Sequence, residues 1–367
     1  MSTKKLNENT LLVEKIKDFR IKSIKRKNKL KKINLDKPVS FWIKEDRLLN
    51  KAGKEFAVIL RTKGCSWALG DYGGCSMCGY IQDSTIEKID QIHIINQFDY
   101  ALEEKINEIS SDKDDFILKI YNSGSFFDDD EVSDDVREHI FKKIADVPKI
   151  KEVVIESRVD YITNEKLNRM KNILKNIYVE VAIGLETVND HIRNDYINKG
   201  LKFEDFLNAI HLCKKNEVGI RAYLLFKPPF LNEQTAIEDC ASSIKKLAEL
   251  KVNTISINPL NIQKNSLVEY LFYQNRYRPP WFYSLFKCLL KTCKNNDILK
   301  SVRIISSPSG AGTKRGIHNC LKRDCNEFMI TTLKEFVLTQ NINSLVINDS
   351  NSSCDCLLKY QLQKNFI

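Results

Sequence analysis

GCSWALGDYGGCSMCGY, residues 64–80, holds three cysteines in the pattern C-x9-C-x2-C, at Cys65, Cys75 and Cys78. Glycines lie within and beside the pattern, and glycine reaches backbone dihedrals that let a chain fold tightly around a bulky inorganic core. Thiolates at such spacing bind soft metal centres, and iron–sulfur clusters are the leading case. A 4Fe–4S cluster held by three cysteines leaves one iron open. The alternative is a zinc knuckle completed by a distant ligand, since structural zinc normally takes four protein ligands.

The segment directly before this loop, FAVIL at 56–60, is apolar and short, as expected for a buried strand. Five further apolar segments rich in valine and isoleucine follow, separated by stretches with helical periodicity. The six predicted strands cover residues 56–60, 116–121, 153–157, 178–186, 218–226 and 252–260. Near-continuously apolar strands that alternate with helices are typical of a parallel sheet covered on both sides. They predict an α/β protein with a doubly wound sheet or a closed or partial (β/α) barrel.

Polar or glycine-rich residues follow each predicted strand. The first strand runs into the cysteine loop, and the others end at Asn122 to Ser125, Glu156 to Arg158, Gly184 to Glu186, Lys227 and Asn258. In (β/α) barrels the residues after the carboxyl ends of the strands build the site. We therefore predict a partial, TIM-like (β/α)6 barrel over residues 38–300.

The composition indicates an intracellular protein. The chain has 367 residues, of which 43% are hydrophobic, and no apolar run is long enough to span a membrane. The N-terminus is rich in lysine and lacks the apolar core of a secretory signal. We therefore expect a cytoplasmic location and no membrane partner. Eleven cysteines in a cytoplasmic chain indicate metal sites rather than disulfides.

The net charge of +10 is concentrated at the N-terminus. Residues 1–37 contain thirteen Lys or Arg and four Asp or Glu, so this segment alone carries +9 (13 − 4). Within it, Leu12, Ile16 and Phe19 share one face of a predicted helix that ends before Pro38. We predict a basic helical arm over residues 1–37. It is a solvated helix, a contact for nucleic-acid phosphates, or a docking helix for a partner subunit.

The pattern changes after residue 300, and we predict a small C-terminal region over residues 301–367. Soft ligands gather there, and four of them would complete a tetrahedral zinc site. The first four candidates are Cys320, Cys325, Cys354 and Cys356, with His318 as the alternate. A second iron–sulfur cluster and free thiols are the other readings. The segment PSGAGTKR, 308–315, is either a turn with two exposed cations or a phosphate contact.

Several further segments complete a pattern that extends over almost everything after residue 55. They are GGCSMCGY (73–80), NSGSFFDDDEV (122–132), IESRVDYIT (155–163), IGLET (183–187), INKGLKFEDF (197–206), AYLLFKPPFL (222–231), SINPLNIQ (256–263), YRPPWFYS (277–284) and PSGAGTKRGIHNC (308–320). With these segments the chain resembles the radical S-adenosylmethionine (SAM) superfamily. Within it, the chain resembles the group related to the catalytic subunit of elongator, and most of all the archaeal radical subunits of archaeosine synthase.

The resemblance implies that the three cysteines of the loop ligate a 4Fe–4S cluster and that its open iron chelates SAM. It also implies cofactor contacts, with Asn122 to Gly124 near the methionyl amine, Glu156 and Arg158 as an acidic and basic pair, and Glu186 at a ribose hydroxyl. The residues implied near the methionyl amine of SAM are thus Asn122, Ser123 and Gly124. Met77 departs from the superfamily, which often has an aromatic residue there, packed near the adenine; methionine can make a similar soft contact.

The resemblance further implies an activity on tRNA. A partner enzyme, the lysine-attaching subunit of archaeosine synthase, adds lysine to a deazaguanine base. The radical subunit then cleaves the lysyl side chain by means of a 5'-deoxyadenosyl radical and leaves archaeosine. The implied partners are tRNA, that subunit and an electron donor. Two alternatives stay open, namely another radical SAM enzyme with a small-molecule or protein substrate, and a non-catalytic, metal-stabilised RNA-binding protein. No catalytic side chain is assigned from the sequence.

Overall fold

Strands and helices alternate along most of the chain in the computed structural model, which describes residues 10–27, 33–294, 297–345, 347 and 354–366. The strands are β1 Ser40–Arg47, β2 Ala52–Leu60, β3 Phe116–Asn122, β4 Ile150–Glu156, β5 Tyr178–Glu186, β6 Gly219–Phe226, β7 Thr254–Pro259 and β8 Arg303–Ile305. The helices are α1 Thr10–Lys27, α2 Ser66–Leu69, α3 Gln91–Ser111, α4 Asp134–Ala145, α5 Asn164–Ile173, α6 Phe203–Lys215, α7 Glu233–Glu249, α8 Leu267–Tyr273, α9 Phe282–Thr292, α10 Asp297–Ser301, α11 Arg323–Thr339 and α12 Cys356–Gln363. None of these helices has both the length and the apolarity required to cross a bilayer.

All eight strands form one sheet in chain order. β1 pairs with β2 in antiparallel fashion, and each later pair is parallel. Strand order that never reverses distinguishes a barrel from a doubly wound sheet. Arg303 of β8 donates to the carbonyl of Arg47 on β1 and to Glu152 on β4, so the sheet curls around a common interior. The predicted partial barrel is confirmed, with β2 to β7 as its six predicted strands.

Two edge strands were not predicted, each for a physical reason. β1 has only three consecutive apolar residues, followed by four charged ones, and only one of its eight residues is buried. β8 has three residues, which is too short for a period to be read. Both are strands because the neighbouring strand offers a row of free backbone groups to pair with. The sequence between Ser40 and Arg47 therefore carries little information about its own structure.

Paired charges fill the barrel interior near the amino ends of the parallel strands. Lys119 lies between Asp46 and Glu55, with 2.6 Å from its Nζ to the Glu55 carboxylate. Because a buried charge is tolerated only when it is paired, these groups hold one another in place. We name them the charged plug, which consists of Asp46, Glu55, Lys119, Glu152, Glu180, Arg221 and Arg303. The plug fills this end of the interior, whereas the predicted site residues follow the carboxyl ends of the strands.

Helix α1 packs on the barrel through the apolar face that its sequence predicts. Ile16 is buried in a cluster with Val268 of α8 and Tyr277, and Leu12 and Phe19 pack against the same cluster. Because the chain itself covers this face, the interpretation in which the face docks a partner subunit is wrong. Residues 1–9 and 28–32 of the predicted arm lie outside the described residues.

Candidate active site

The cysteine loop leaves the carboxyl end of β2 and is anchored to two neighbouring segments. The backbone N–H of Cys65 donates to the carbonyl of Ser123, at the end of β3, over 2.9 Å. The Trp67 indole donates to the carbonyl of Asn198, and the Asn198 amide donates back to the carbonyl of Gly74 at 2.8 Å. The loop is therefore held from both sides at the mouth of the barrel.

Backbone geometry in the loop requires glycine at its centre. Gly74 has φ of +87°, and a Cβ there would lie 2.9 Å from the Cα of Ala68. Helix α1 contributes a further anchor, because Arg20 donates from Nε to the carbonyl of Gly73 at 2.9 Å and from a terminal nitrogen to the carbonyl of Cys78. The N-terminal helix thus fixes the segment that carries the second and third cysteines.

Electrostatic interactions connect the three thiols of the loop with one another and with two cations. Burial raises the pKa of Cys65 and raises the pKa of Cys75 to about 12. The charge of Arg158 acts in the opposite direction on Cys65, and that of Lys199 on Cys75. Thiolates buried without a metal are unfavourable, whereas metal coordination deprotonates a thiol outright. A metal bound by Cys65 and Cys75 would therefore have to displace the protons of these buried thiols.

The end of β3 is organised around the buried carboxylate of Glu131. This carboxylate accepts from the Asn122 amide at 2.9 Å, from the Ser125 backbone at 2.8 Å and from the Thr62 hydroxyl at 2.6 Å. A Cβ on Gly124 would lie 1.7 Å from the same carboxylate, so only glycine fits there. The Asn122 Oδ1 is buried and has no hydrogen-bond partner among the described residues. It is an acceptor available to a donor group of a ligand.

The end of β4 separates the two residues that the sequence analysis treats as a pair. Glu156 accepts from the hydroxyl of Tyr223, and burial raises the pKa of this carboxyl to about 7. Arg158 instead donates to Asp160 at 2.9 Å and to the carbonyl of Lys199 at 3.1 Å. Glu156 thus lines the barrel interior, while Arg158 braces the rim next to the cysteine loop.

The end of β5 carries backbone strain. Glu186 has φ of +69°, at a point where the register between β5 and β6 shifts. Its carboxylate accepts from Lys199 at 2.6 Å, and a Cβ on Gly184 would lie 2.5 Å from that ammonium. A non-glycine residue in the left-handed region persists only where its surroundings fix it, and such residues cluster at functional sites. Met77 packs on the apolar cluster beneath α1, next to Cys75.

A second group of thiols lies in the C-terminal region, where four sulfurs all fall within 4.8 Å of one another. The group consists of Cys320, Cys325, Cys354 and Cys356. Tetrahedral zinc, with Zn–S near 2.3 Å, requires sulfur separations of about 3.8 Å. The Cys325–Cys356 and Cys320–Cys354 separations are 3.5 Å and 4.0 Å. The ring of His318 is outside the group and bonds the carbonyl of Gly316, and burial lowers its pKa to about 4.

Sequence reasoning missed several residues that hold the site together. Glu131, Lys199 and Tyr223 each contact a predicted site residue, and Asn198 contacts the cysteine loop. Glu131 ends an acidic run that looks like an exposed turn, and the other three are ordinary residues of loops and strands. The signal that could have pointed to Glu131, Asn198 and Lys199 is their place in the segments 122–132 and 197–206, which carry the resemblance. The remaining four cysteines are buried free thiols: Cys213, Cys240, Cys288 and Cys293.

A curled half-barrel with a three-cysteine loop after its first parallel strand is the arrangement that the resemblance to the radical SAM superfamily implies. No family model matches the chain. Archaeosine synthase subunit beta of Methanosarcina acetivorans is 38% identical over 335 residues, which are 91% of this chain and 91% of that protein. The protein of the same name from Thermococcus kodakarensis is 37% identical over 306 residues, 83% of this chain and 91% of that protein. The chain belongs to the archaeosine synthase subunit beta family.

Several solved structures are similar to this chain at low sequence identity. Elp3 of Methanocaldococcus infernus, with its N-terminus deleted, superposes with a TM-score of 0.49 at 16% sequence identity. The superposition covers 66% of this chain and 59% of that chain.

Proposed function

We propose that this chain is a radical SAM enzyme of tRNA modification. In this proposal it converts a lysine-modified deazaguanine in archaeal tRNA to archaeosine by cleaving the lysyl side chain through a 5'-deoxyadenosyl radical. The names of the relatives support the pathway, since they are subunits of archaeosine synthase. The observation that carries the proposal is the cysteine loop itself, anchored at the carboxyl end of β3 through the hydrogen bond from Cys65 to Ser123.

The residues at the barrel mouth fit the two implied cofactors. Cys65, Cys75 and Cys78 would hold a 4Fe–4S cluster, and the charges of Arg158 and Lys199 would favour their thiolate forms. The unpartnered Asn122 Oδ1 fits the amine of SAM. Such a cluster, when bound and reduced, would supply the electron for reductive cleavage of SAM, which is the source of hydrogen-atom abstraction in this chemistry.

The remaining site residues have proposed roles in this arrangement. Ser123 and Gly124 shape the strand end, and Glu186 would accept a ribose hydroxyl. Glu156 lines the interior beside the methionyl end, and Met77 would touch the adenine from the side of α8. Arg158 acts indirectly in this proposal, because its guanidinium already binds Asp160 and backbone carbonyls. It would hold the rim rather than a cofactor carboxylate.

The four thiols of the C-terminal region would hold one zinc ion. Three of their separations, 3.5 Å, 3.9 Å and 4.0 Å, lie near the value for a tetrahedral ion, and the 3.0 Å between Cys354 and Cys356 would have to lengthen. A closed set of four thiolates is typical of a structural zinc site. We propose a division into a basic arm at 1–37, a barrel at 38–300 and this metal-binding region at 301–367. The proposed partners are tRNA, the lysine-attaching subunit and a cytoplasmic electron donor.

Anaerobic assays of reconstituted protein test the proposal. With dithionite, the protein should cleave SAM, and lysine-modified tRNA should lose the mass of its lysyl fragment. The variant with Cys65, Cys75 and Cys78 all replaced by Ala should lose the iron–sulfur absorbance and both activities. Ser66→Ala in the same loop is the matched control and should keep them.

Three outcomes would contradict the proposal in different ways. Unchanged iron content in the triple variant would sink the cluster assignment. SAM cleavage that proceeds without any change in the tRNA would indicate a radical SAM enzyme with another substrate. Tight tRNA binding with no SAM cleavage under reducing conditions would indicate a non-catalytic RNA-binding protein.

A further inference from the structure

A surface groove of about 600 Å³ lies outside the barrel mouth, between α8, the segment 314–321 and the end of the chain. Aromatic side chains dominate its walls. Tyr273 is 67% exposed and Phe366 is 71% exposed, although each has an apolar ring. The lining residues are Phe272, Tyr273, Asn275, Tyr277, Arg278, Pro279, Lys314, His318, Leu321, Gln363 and Phe366. Exposed apolar surface grouped in one groove marks a binding site rather than scattered surface residues.

The charged side chains that line the groove, Arg278 and Lys314, are both cations. The segments 272–281, 314–321 and 363–366 contain five Lys or Arg and no Asp or Glu. Arg315 is paired with Glu269 at 2.7 Å, and Arg278 donates to the carbonyl of His318. Lys314 is exposed and lies 5.6 Å from the Phe272 ring, so its charge faces the groove. The groove therefore combines aromatic faces with a field that attracts anions.

Helix α8 connects the groove to the cysteine loop. The backbone N–H of Leu267, at the start of α8, donates to the carbonyl of Ser76 at 3.0 Å. Tyr273, at the other end of the helix, lines the groove. Six residues of α-helix rise about 9 Å. A polymer bound in the groove would therefore pass within reach of the barrel mouth.

We propose that this groove binds an unpaired stretch of the tRNA substrate, with bases stacked on Tyr273 and Phe366 and a phosphate near Lys314. The proposal rests on the proposed function, since it takes tRNA as the substrate. Aromatic faces that stack bases, together with cations that follow the phosphates, are how proteins hold single-stranded nucleic acid. The groove would position the molecule, because such contacts do not read sequence.

The observations favour RNA over a protein partner in this groove. A protein interface is depleted of charge at its core and encloses its apolar contacts in a polar rim. Here Lys314 lies beside an aromatic ring within the groove, and the residues that line the groove include no carboxylate. A partner bound through this surface would have to be strongly acidic. The phosphodiester chain of tRNA meets that requirement along its whole length.

Binding of unmodified archaeal tRNA to the full chain, measured by fluorescence anisotropy at several salt concentrations and compared between variants at the same salt, tests the proposal. Tyr273→Ala should weaken binding by roughly 5- to 150-fold, the range for the loss of one base stack. Tyr273→Phe keeps the ring and should bind like the parent chain. Lys314→Ala should weaken binding and lower the slope of log affinity against log salt by about one. Phe328→Ala, at a partly exposed aromatic on α11 that does not line the groove, is the matched control.

The outcomes separate this proposal from the proposed function. Parent-like binding by Tyr273→Ala and Lys314→Ala would overturn the groove proposal and leave a tRNA enzyme intact. Failure of the parent chain to bind any tRNA would overturn both. Loss of a co-purified partner subunit with unchanged tRNA affinity would make the groove a protein interface and overturn its assignment to RNA. SAM cleavage without tRNA should be unchanged in all four variants, which shows that each is folded.

Discussion

At the scale of single residues, a buried carboxylate holds the candidate site in shape. Glu131 accepts three hydrogen bonds at the end of β3 and lies against the backbone of Gly124. It is 1% exposed, and burial raises its pKa, so it depends on these donors. Removing a donor or pushing the carboxylate away would leave buried polar groups unpaired, which is costly.

Gly124→Ala should therefore destabilise the protein, because the new Cβ would overlap the Glu131 carboxylate. We expect a loss of about 1–3 kcal/mol in the free energy of unfolding, as for overpacking. Urea denaturation measures it. Gly70→Ala is the control, because φ is −86° there and the nearest atom would be 3.0 Å away. Equal stabilities for the two variants would show that the carboxylate moves freely.

Asp239 should make stability depend on pH. It accepts from the Thr187 hydroxyl at 2.6 Å, and burial raises its pKa to about 6. An unfolded Asp titrates near ~3.9, so between pH ~4 and 6 the folded state holds a proton that the unfolded chain has released. Stability from this group is therefore lost as pH rises through that window. Asp239→Asn should reduce the change in the free energy of unfolding between pH ~4 and 6 by at most about 3 kcal/mol. Urea denaturation of both proteins at pH 4.5 and 6.5 measures this change. An equal change in the variant and the parent chain would contradict a raised pKa for Asp239.

At the scale of elements, the N-terminal helix is part of the site. α1 buries Ile16 against the barrel and places Arg20 on the carbonyls of Gly73 and Cys78. Its positive charge predicted an arm, and its apolar face predicted docking, but neither property says which surface a helix docks on. That surface is formed by α8, some 250 residues later in the chain. Only the folded chain brings the two together.

Arg20→Ala should loosen the cysteine loop. Loss of a charged donor to two carbonyls should speed hydrogen exchange of the loop amides by about tenfold or more. Mass spectrometry of peptides that cover Ser76 and Cys78 measures it. Lys25→Ala, at an exposed position on the same helix, should leave exchange unchanged. Equal exchange in both variants would mean that the other loop contacts suffice.

The sequence predicts the elements better than it predicts their partners. The six central strands were predictable because buried parallel strands need long apolar runs, and the residues at their carboxyl ends had to meet at one edge. The side-chain contacts at that edge of the sheet could not be predicted. Arg158 lies two residues beyond Glu156, which ends β4, and each of the two side chains binds a group from elsewhere in the chain. Such choices depend on packing that spacing does not encode.

At the scale of the whole molecule, the C-terminal thiols tie the end of the chain to the barrel. Helix α12 begins at Cys356, and its buried Tyr360 packs against Trp281 and Tyr283 beside α9. The same helix leads to Phe366, in one wall of the groove. Metal binding at these thiols would thus fix both the last helix and the wall.

A chain with its three loop cysteines replaced by Ala should still contain about one zinc per molecule by elemental analysis. Adding Cys356→Ser should remove the metal and expose the last residues to protease, because a structural zinc contributes folding free energy directly. Adding His318→Ala instead should keep the metal, since its ring lies outside the sulfur group. Iron in place of zinc would mean a second cluster at these thiols.

The charged plug has a consequence for how ligands enter the barrel. Its ion pairs fill the end of the interior opposite the cysteine loop, so a small molecule bound in the interior would enter and leave on the side of that loop. Under the proposed function, SAM would therefore bind before tRNA covers this opening, and the cleavage products of SAM would dissociate only after tRNA has left. Turnover would then follow a compulsory binding order, SAM first and tRNA second. A saturating excess of tRNA should therefore slow the reaction rather than speed it.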